Sequence, residues 1–346
     1  MELRDAIARV CARRDLTDEE MAAAVGRIMD GEATPGQIGA LLVGLRMKGE
    51  TVAEIVGAAR AMRGRALSVR APAGVLVDTC GTGGDGAATV NVSTVAALVV
   101  AACGVRVAKH GNRAVSSRAG SADLLEALGV RIDAGTDVVE RCLREVGIGF
   151  LFAPAHHGAT RHASTVRREI GVRTLFNLLG PLTNPAGASR QVIGVYDGAL
   201  VEPLARALAG LGAERAMVVH GDGGLDEFSP SGATSVAEVR PGGEVVTYKL
   251  EPLDFGLEPA DPSGLAGGDV EHNAVVARAL LTPNAEAPTA ALHAVLMTAA
   301  ATLLVAGAEP TLRDGVNRAL AAIDRGAALS VLERLVRASH GGAEPA

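Results

Sequence analysis

Aromatic and cysteine residues are scarce in this 346-residue chain, which has no Trp, two Tyr, five Phe and four Cys. So few aromatic rings argue against the base-stacking platforms with which proteins hold single-stranded nucleic acid. The four cysteines lie far apart and form no CxxC pair, a pattern typical of reduced thiols in a cytosolic protein. We therefore expect a cytoplasmic protein whose core is built from Ala, Val, Leu and Ile.

Blocks of positive charge are also lacking. The chain has 33 Lys and Arg against 39 Asp and Glu, a formal net charge of −6, so no nucleic-acid partner is expected. The first ten residues mix charges and contain no apolar run, which excludes an evident secretion signal. The most apolar stretch, 290–307, is mostly Ala and includes His293. It predicts a buried helix and no membrane partner.

Length and apolar content indicate a folded chain of two domains. Apolar residues make up 48% of the sequence, and its length exceeds the roughly 250–300 residues at which one core stops growing. Residues 1–70 predict a small domain of three helices, joined by helices from about 165–188. Each of the three has a capping-box pair at its start: Thr17/Glu20, Thr34/Gln37 and Thr51/Glu54.

The pattern changes near residue 73, where apolar strands begin to alternate with helices. Strand, glycine-rich loop, helix and strand form a βαβ unit, which implies a parallel sheet. The predicted fold class is α/β: a small all-helical amino-terminal domain and a larger α/β domain, 71–346, with a mainly parallel central sheet. The predicted strands are 74–79, 105–108, 147–152, 191–196, 216–220 and two within 236–250; the predicted helices among them are 93–102, 121–128, 137–146 and 200–211.

A glycine-rich loop, Gly81-Thr82-Gly83-Gly84-Asp85-Gly86, follows the first strand and matches GxGxxG. A dinucleotide site also has a carboxylate about 20 residues further on, but none occurs between Asp85 and Asp123. The P-loop pattern is absent as well. Two interpretations stay open for the loop: a cradle of bare N–H groups around a phosphate, or a tight turn alone.

Two further segments of the same βαβ unit favour an anion. Asn91–Thr94 opens a helix, where unpaired N–H groups and the dipole attract negative charge, although an N-cap alone is the plainer interpretation. Lys109–Ser117 places two cations and two hydroxyls just past a strand. Three such segments predict a ligand with several phosphates. Such a ligand usually carries Mg²⁺, and Asp226-Glu227 is the obvious acidic pair.

Two interpretations stay open for the adjacent arginines Arg167 and Arg168. Arg167 or Arg168 could clamp a carboxylate with two parallel hydrogen bonds, or both could lie on a surface helix beside Glu169. The residue pattern alone favours neither interpretation.

Together these motifs resemble the anthranilate phosphoribosyltransferase family over nearly the whole chain. The matching segments are GTGGDG at 81–86, NVST at 91–94, KHGNRAVSSRAGSAD at 109–123, VRREIGVRTLFNLLGPLTNP at 166–185 and the 220–230 loop. The resemblance implies the architecture of nucleoside phosphorylases and class III phosphoribosyltransferases. It implies transfer of phosphoribosyl from phosphoribosyl pyrophosphate (PRPP) to anthranilate in tryptophan biosynthesis. It also implies two Mg²⁺ ions and a homodimer formed through the small domains.

The resemblance also implies roles for individual residues. No covalent nucleophile is expected, because positioning and metal assistance suffice for this reaction. Anthranilate would meet Gly81, Asn112 and Arg167, and Mg²⁺ would be held by Ser93, Asp226 and Glu227. PRPP would contact a larger set: Gly81, Gly84, Asp85, Thr89, Asn91, Val92, Ser93, Thr94, Lys109, His110, Gly111, Asn112, Arg113, Ala114, Val115, Ser116, Ser117 and Ser121.

Two alternatives share this fold. One is an enzyme like the pyrimidine nucleoside phosphorylases, against which the GPLTNP segment and the pair Asp226-Glu227 count. The other is a non-catalytic relative that binds nucleic acid, against which the acidic net charge counts.

Overall fold

Four helices form the amino-terminal part of the chain in the computed structural model, which describes residues 1–84, 86–114 and 118–341. They are α1 (Leu3–Cys11), α2 (Asp18–Met29), α3 (Pro35–Lys48) and α4 (Val52–Arg63). All three predicted capping boxes are present, at the starts of α2, α3 and α4. The prediction of three helices was wrong by one. α1 was missed because its N-cap residue, Glu2, makes no side-chain capping hydrogen bond and gives no start signal.

The rest of the chain is built on one sheet of seven strands, which confirms the predicted α/β class. In spatial order the sheet runs β3-β2-β1-β4-β5-β6-β7. β1 to β5 pair in parallel, and the last two strands are antiparallel. The strands are β1 (Leu76–Gly81), β2 (Arg106–Gly111), β3 (Ile148–Phe152), β4 (Arg190–Gly194), β5 (Arg215–Gly221), β6 (Thr234–Val239) and β7 (Val245–Leu250).

The strand order reverses between β1 and β4. From β1 the chain moves outward to β2 and β3, and from β4 it moves the other way to β5. Segments that leave the carboxyl ends of β1 and β4 therefore diverge, and the crevice between them is where open α/β sheets bind ligands. The glycine-rich loop leaves β1 at this switch point.

Two predicted strands end later than the sequence indicates. β1 continues to Gly81, which pairs with Gly194 of β4, and β2 continues to Gly111, which pairs with Phe152 of β3. Lys109 and His110 therefore lie within β2 and not just past it. Pairing with a neighbouring strand keeps small or polar residues in the sheet, although their side chains carry no strand signal.

Eleven further helices of the described residues connect and cover the strands. Those after β1 and before β4 are α5 (Val92–Ala102), α6 (Ser121–Ala127), α7 (Thr136–Glu145), α8 (Ala153–His156), α9 (Arg161–Ile170) and α10 (Phe176–Leu182). Those after β4 are α11 (Val201–Gly210), α12 (Val270–Leu281), α13 (Thr289–Ala306), α14 (Leu312–Asp324) and α15 (Ala327–Ser339).

The two largest hydrophobic cores lie on different sets of elements. One core joins the buried residues of α5 with those of α12 to α15 and with sheet residues such as Val77, Val107 and Val192. The second joins α1 to α4 with α9, α10 and α11 and with sheet residues such as Ile193 and Val218. Because Val192 and Ile193 are neighbours on β4, the cores cover opposite faces of the sheet.

α13 is the helix expected from the apolar run at 290–307. By length and composition it could cross a membrane, and it is the one such helix in the described part of the chain. However, 78% of it is buried inside the protein, and it packs on α5 and α14. The structure thus assigns α13 to the core.

Candidate active site

The acidic pair Asp226-Glu227 lies at the switch point, between the carboxyl ends of β1 and β4. Gly81 and Gly194, which pair across these two strands, both face it. A Cβ atom at Gly81 would lie 2.5 Å from Asp226 Oδ2, and one at Gly194 only 1.5 Å from the Asp226 main-chain oxygen. Any larger residue would push the 226–227 segment away, so both positions require glycine.

The first residues of the glycine-rich loop, Gly81–Gly84, contact Asp226. The amide of Thr82 donates to the Gly194 carbonyl at 2.9 Å, which extends the pairing of β1 with β4. The next amide, of Gly83, donates to Asp226 Oδ2 at 2.8 Å. Gly83 and Gly84 both have positive φ, 64° and 75°, so the turn needs residues without a Cβ atom. The backbone of the loop is therefore bent toward the acidic pair.

Glu227 reaches the start of α5. Its Oε1 accepts from the amide of Ser93 at 3.0 Å, and its Oε2 lies 3.4 Å from the Thr298 hydroxyl of α13. A carboxylate of the protein thus lies at the amino terminus of α5, where the helix dipole favours negative charge. Ser93, Asp226 and Glu227, the residues predicted to hold Mg²⁺, come together here around the loop.

Asn91 is the N-cap residue of α5, but its side chain does not cap the helix. Its Nδ2 donates to the Ala119 carbonyl at 3.0 Å, and its Oδ1 accepts from Asn273 at 3.1 Å. The side chain thus ties the start of α5 to the loop before α6 and to α12. Thr89 forms an isolated bridge with Ala266, which fixes the segment between the glycine-rich loop and α5.

Lys109 and His110 are buried, with 2% and 5% of their surfaces exposed. The Lys109 ammonium donates to the Thr79 carbonyl of β1 at 2.5 Å. His110 Nδ1 lies 3.0 Å from the Gly180 carbonyl of α10, and its ring lies 5.1 Å from that of His157. Burial lowers the pKa of His110 to about 3, with the positive charge of His157 as the next cause.

Asp78 is a buried carboxylate beside this pair, and sequence reasoning treated it only as part of a strand. Its Oδ1 accepts from the His110 amide at 3.2 Å and its Oδ2 from Asn184 Nδ2 at 2.8 Å. Burial raises the pKa of Asp78, and the Lys109 ammonium opposes that shift. The signal that could have found it is an acidic residue within an otherwise apolar strand.

The described residues on either side of 115–117, between β2 and α6, lie close together. A Cβ atom at Gly120 would lie 2.5 Å from the Ala114 amide. Asp123 accepts from the amides of Ala114 and Gly120, both at 2.9 Å. Arg113 forms ion pairs with Asp123 and Glu126 at 2.9 and 2.7 Å.

Ser121 and Asn112 join the start of α6 to the end of β2. The Ser121 hydroxyl donates to the Asn112 carbonyl at 3.3 Å, and Asn112 Oδ1 accepts from the Arg113 amide at 2.8 Å. The predicted residues Gly111 to Ala114 and Ser121 thus form one small unit. The predicted site residues Asp85, Val115, Ser116 and Ser117 lie outside the described residues.

Arg167 lies on α9, in the part of the chain that shares a core with the amino-terminal helices. Its guanidinium stacks over the Phe176 ring of α10 at 5.3 Å, and burial lowers its pKa. No carboxylate among the described residues lies within ion-pair distance of it. The neighbouring Arg168 is exposed. The surface pair with Glu169, the alternative reading, is not formed by the described side chains.

The three residues predicted to meet anthranilate come from separate elements. Gly81 ends β1, Asn112 follows β2 and Arg167 lies on α9, and no hydrogen bond joins any two of them in the described structure. α10 contacts two of these elements. Phe176 at its start lies under the Arg167 guanidinium, and its Gly180 carbonyl contacts His110 of β2.

Comparison with known families identifies the chain as a glycosyl transferase. The family model described as "Glycosyl transferase family, a/b domain" matches residues 73–329, and "Glycosyl transferase family, helical bundle domain" matches residues 4–66. An anthranilate phosphoribosyltransferase of Myxococcus xanthus is 54% identical over 97% of this chain and 98% of its own length. One from an Anaeromyxobacter species is 53% identical over 99% and 100%.

Solved structures agree with these relatives. Anthranilate phosphoribosyltransferase from Thermus thermophilus superposes with a TM-score of 0.91 at 46% identity, covering 97% of this chain and 99% of the other. The Saccharomyces cerevisiae enzyme in complex with PRPP and Mg gives 0.88 at 28% identity, covering 98% of both chains. This chain belongs to the anthranilate phosphoribosyltransferase family, which confirms the family expected from the sequence motifs.

Proposed function

We propose that the chain transfers the phosphoribosyl group of PRPP to the amine of anthranilate and releases pyrophosphate, as a step of tryptophan biosynthesis. One observation carries the proposal. At the switch point of the sheet, a glycine-rich loop, the start of α5 and two carboxylates converge, in a chain that belongs to this family. A yeast family member has been solved with PRPP and Mg, and another structure of it with 4-fluoroanthranilate.

Mg²⁺ fits the residues present at the acidic pair. Asp226, Glu227 and the Ser93 hydroxyl are all oxygen donors, which this hard cation prefers. The described residues contain no cluster of three or more His, Cys, Asp and Glu that could form a complete metal cage. Two carboxylates suit Mg²⁺, because it usually keeps several waters and binds substrate phosphates as well. When bound, the metal stabilises the negative charge of the leaving pyrophosphate. We propose two ions per chain.

The chain's own residues then position the two substrates. The loop Gly81–Gly84 and the segment Lys109–Ala114 would hold PRPP, together with Thr89, the start of α5 and Ser121. Arg167 has a guanidinium free of described carboxylates, which suits it to bind the anthranilate carboxylate and direct the amine toward the ribose. Gly81 and Asn112 would line the space between the substrates. No protein nucleophile is needed, because anthranilate's amine is itself the nucleophile.

The proposal extends to the organisation of the protein. The small domain would comprise 1–70 with the helices of about 165–188, whose buried residues share one core, and 71–346 would form the PRPP-binding domain. A homodimer formed through the small domains follows from the family resemblance. Cytoplasmic location is supported by four free cysteines. The proposal includes no nucleic-acid or membrane partner.

A fluorescence assay tests this function. The purified chain is mixed with anthranilate, PRPP and Mg²⁺, and the loss of anthranilate fluorescence is followed, with a parallel reaction of uridine and phosphate. We expect anthranilate to be consumed only when both PRPP and a divalent cation are present. Turnover of uridine without turnover of anthranilate would instead support the nucleoside phosphorylase alternative.

Variants of the acidic pair test the metal assignment. The double variant Asp226→Asn with Glu227→Gln should require much more Mg²⁺ for activity while keeping its thermal stability. Asp222→Asn is the matched control, because Asp222 is an exposed acid on the same loop. Full wild-type activity of the double variant, or of the wild type in excess chelator, would refute the metal assignment.

A further inference from the structure

The backbone pairing of β1 with β2 stops before the carboxyl ends of the strands. The paired residues are Leu76 with Arg106 and Val77 with Val107. In contrast, β1 pairs with β4 as far as Gly81, and β2 pairs with β3 as far as Gly111. The gap therefore lies between two strands that are each held in place on their other side.

Side chains fill this gap and replace the missing main-chain hydrogen bonds. Asp78 Oδ1 accepts from the His110 amide at 3.2 Å, in place of a carbonyl of β1. In the other direction, the Thr79 carbonyl accepts from the Lys109 ammonium at 2.5 Å. Each strand thus bonds to the other through one of its side chains, and the spacing between the strands depends on the length of those side chains.

A third side chain enters the gap from the turn after α10. Asn184 Nδ2 donates to Asp78 Oδ2 and to the Ala108 carbonyl of β2, both at 2.8 Å. Its Oδ1 accepts from the Ala186 amide at 2.9 Å, which fixes the orientation of its amide group. Both carboxylate oxygens of Asp78 are therefore engaged, and Asp78 connects β1, β2 and the 183–186 turn.

Asp78 is fully buried, and so is the cation beside it. Exposure is 0% for Asp78, 2% for Lys109 and 5% for Asn184. A buried carboxylate costs free energy unless hydrogen bonds and an opposite charge compensate it. Here the opposite charge of Lys109 and the amide of His110 come from the end of β2, the strand that leads into the proposed PRPP-binding segment, and Asn184 supplies the second hydrogen bond from the 183–186 turn.

We infer that Asp78 is a positioning residue, whose carboxylate sets the place of the Lys109–Asn112 segment for binding PRPP. The inference rests on the proposed function, because it concerns the same site. Asp78 touches no substrate in this account; it acts through the His110 amide, through the charge of Lys109 and through Asn184.

The test is the affinity for PRPP, measured by isothermal titration calorimetry with Mg²⁺ present. Asp78→Asn keeps the shape of the side chain, but it removes the negative charge. It also places an amide N–H₂ group opposite Asn184 Nδ2, where a carboxylate oxygen now accepts. We expect its dissociation constant for PRPP to rise about 10- to 100-fold, because small displacements of positioning groups have effects of this size. The KM for PRPP should rise more than the KM for anthranilate.

Asn184→Ala is the second variant and decides the question if Asp78→Asn does not fold. It removes one hydrogen bond to the carboxylate and should raise the PRPP dissociation constant about 5- to 10-fold. Gln191→Leu is the matched control. Gln191 is the β4 partner of Asp78 and is equally buried, but it donates to the Pro181 carbonyl and not to β2. Its loss should leave the PRPP affinity unchanged.

Three outcomes separate the possibilities. Wild-type PRPP affinity in a folded Asp78→Asn or Asn184→Ala variant would overturn the inference while the proposed function stands. An equal loss of affinity in Gln191→Leu would also overturn it, because general loosening of the sheet would then explain the effect. A wild-type chain that binds no PRPP would overturn the proposed function and the inference together.

Discussion

At the scale of single residues, the proposed anthranilate contact depends on one arginine, Arg167. Arg167 stacks on Phe176 and forms no ion pair with the described carboxylates, although burial lowers its pKa and makes its positive charge costly. Arg113, by contrast, is paired with Asp123 and Glu126. A half-buried guanidinium that forms no ion pair with the described residues is suited to receive a substrate carboxylate.

Arg167→Gln should raise the KM for anthranilate about 10- to 100-fold, because it removes charge-assisted hydrogen bonds worth about 1.5–3 kcal/mol. The KM for PRPP should change far less. Steady-state kinetics with each substrate varied in turn gives both constants. Arg168→Gln, the exposed neighbour on the same helix, is the control and should leave both constants unchanged; equal effects of the two variants would refute the assignment.

At the scale of elements, the close approach of β1, β4 and the 226–227 segment shapes the metal site. Two strands in parallel end in glycines that together leave room for one peptide segment between them. The geometry of the acidic pair is therefore fixed by backbone packing as well as by hydrogen bonds. A larger residue at either glycine should therefore displace the two carboxylates, although both carboxylates keep their chemical identity.

Gly194→Ala tests this arrangement. Its Cβ atom would overlap the Asp226 carbonyl, so the segment must move, and overpacking of this kind costs about 1–3 kcal/mol. We expect a lower unfolding free energy in urea and a higher Mg²⁺ concentration for half-maximal activity. Gly180→Ala is the control, since no atom outside its own helix lies within 4 Å of the added Cβ. An unchanged Mg²⁺ requirement in Gly194→Ala would contradict the argument.

Elements were predicted well wherever their signal was local. The capping boxes at Thr17, Thr34 and Thr51 fixed three helices, and the apolar runs before the glycine-rich loop and within α5 predicted the βαβ unit. The ends of β1 and β2 were misplaced because pairing with β4 and β3 holds residues that have no strand propensity. Local patterns contain no information about such neighbours.

The residues of the candidate site, too, were predictable only where the signal was local. Residue types at Gly81–Gly84, Ser93 and Asp226-Glu227 indicated phosphate and metal chemistry from the sequence, and the structure brings these segments together. The bonds of Asp78 to His110 and Asn184 were not predictable, because they join residues more than 30 and 100 positions apart. The same holds for the contact of Thr298 with Glu227.

At the scale of the whole molecule, stability should depend on two buried histidines. Burial lowers the pKa of His110 to about 3 and that of His157 to about 4, whereas an unfolded chain titrates near 6.5. Between these values the unfolded state binds more protons than the folded state, so acid favours unfolding. These two histidines therefore destabilise the fold progressively as the pH falls below about 6.5, and they cost no stability well above it.

Urea unfolding at pH 7 and pH 5.5 should differ by about 2 kcal/mol from these two histidines alone. His157→Leu removes one of the titrating groups and should make the dependence on pH shallower. Far-ultraviolet circular dichroism during the titration measures both free energies. A free energy of unfolding that is constant over this range, or an equal slope in the variant, would contradict the argument.

The proposed homodimer can be tested at the same scale. Met47 on α3 and Leu67 just after α4 are 70% and 57% exposed, which is high for large apolar side chains. Light scattering after size exclusion should give twice the 35.0 kDa mass of one chain. Met47→Glu should weaken the association while α3 stays folded. A mass of one chain for the wild type at micromolar concentration would refute the dimer.

A crystal structure with PRPP and Mn²⁺ in place of Mg²⁺ would locate the proposed metal site, because manganese can be located by its anomalous scattering. We expect an anomalous peak beside Asp226 and Glu227, with the PRPP phosphates between the Gly81–Gly84 loop and the end of β2. A peak at a distance from the acidic pair, or PRPP bound away from the switch point, would contradict this expectation.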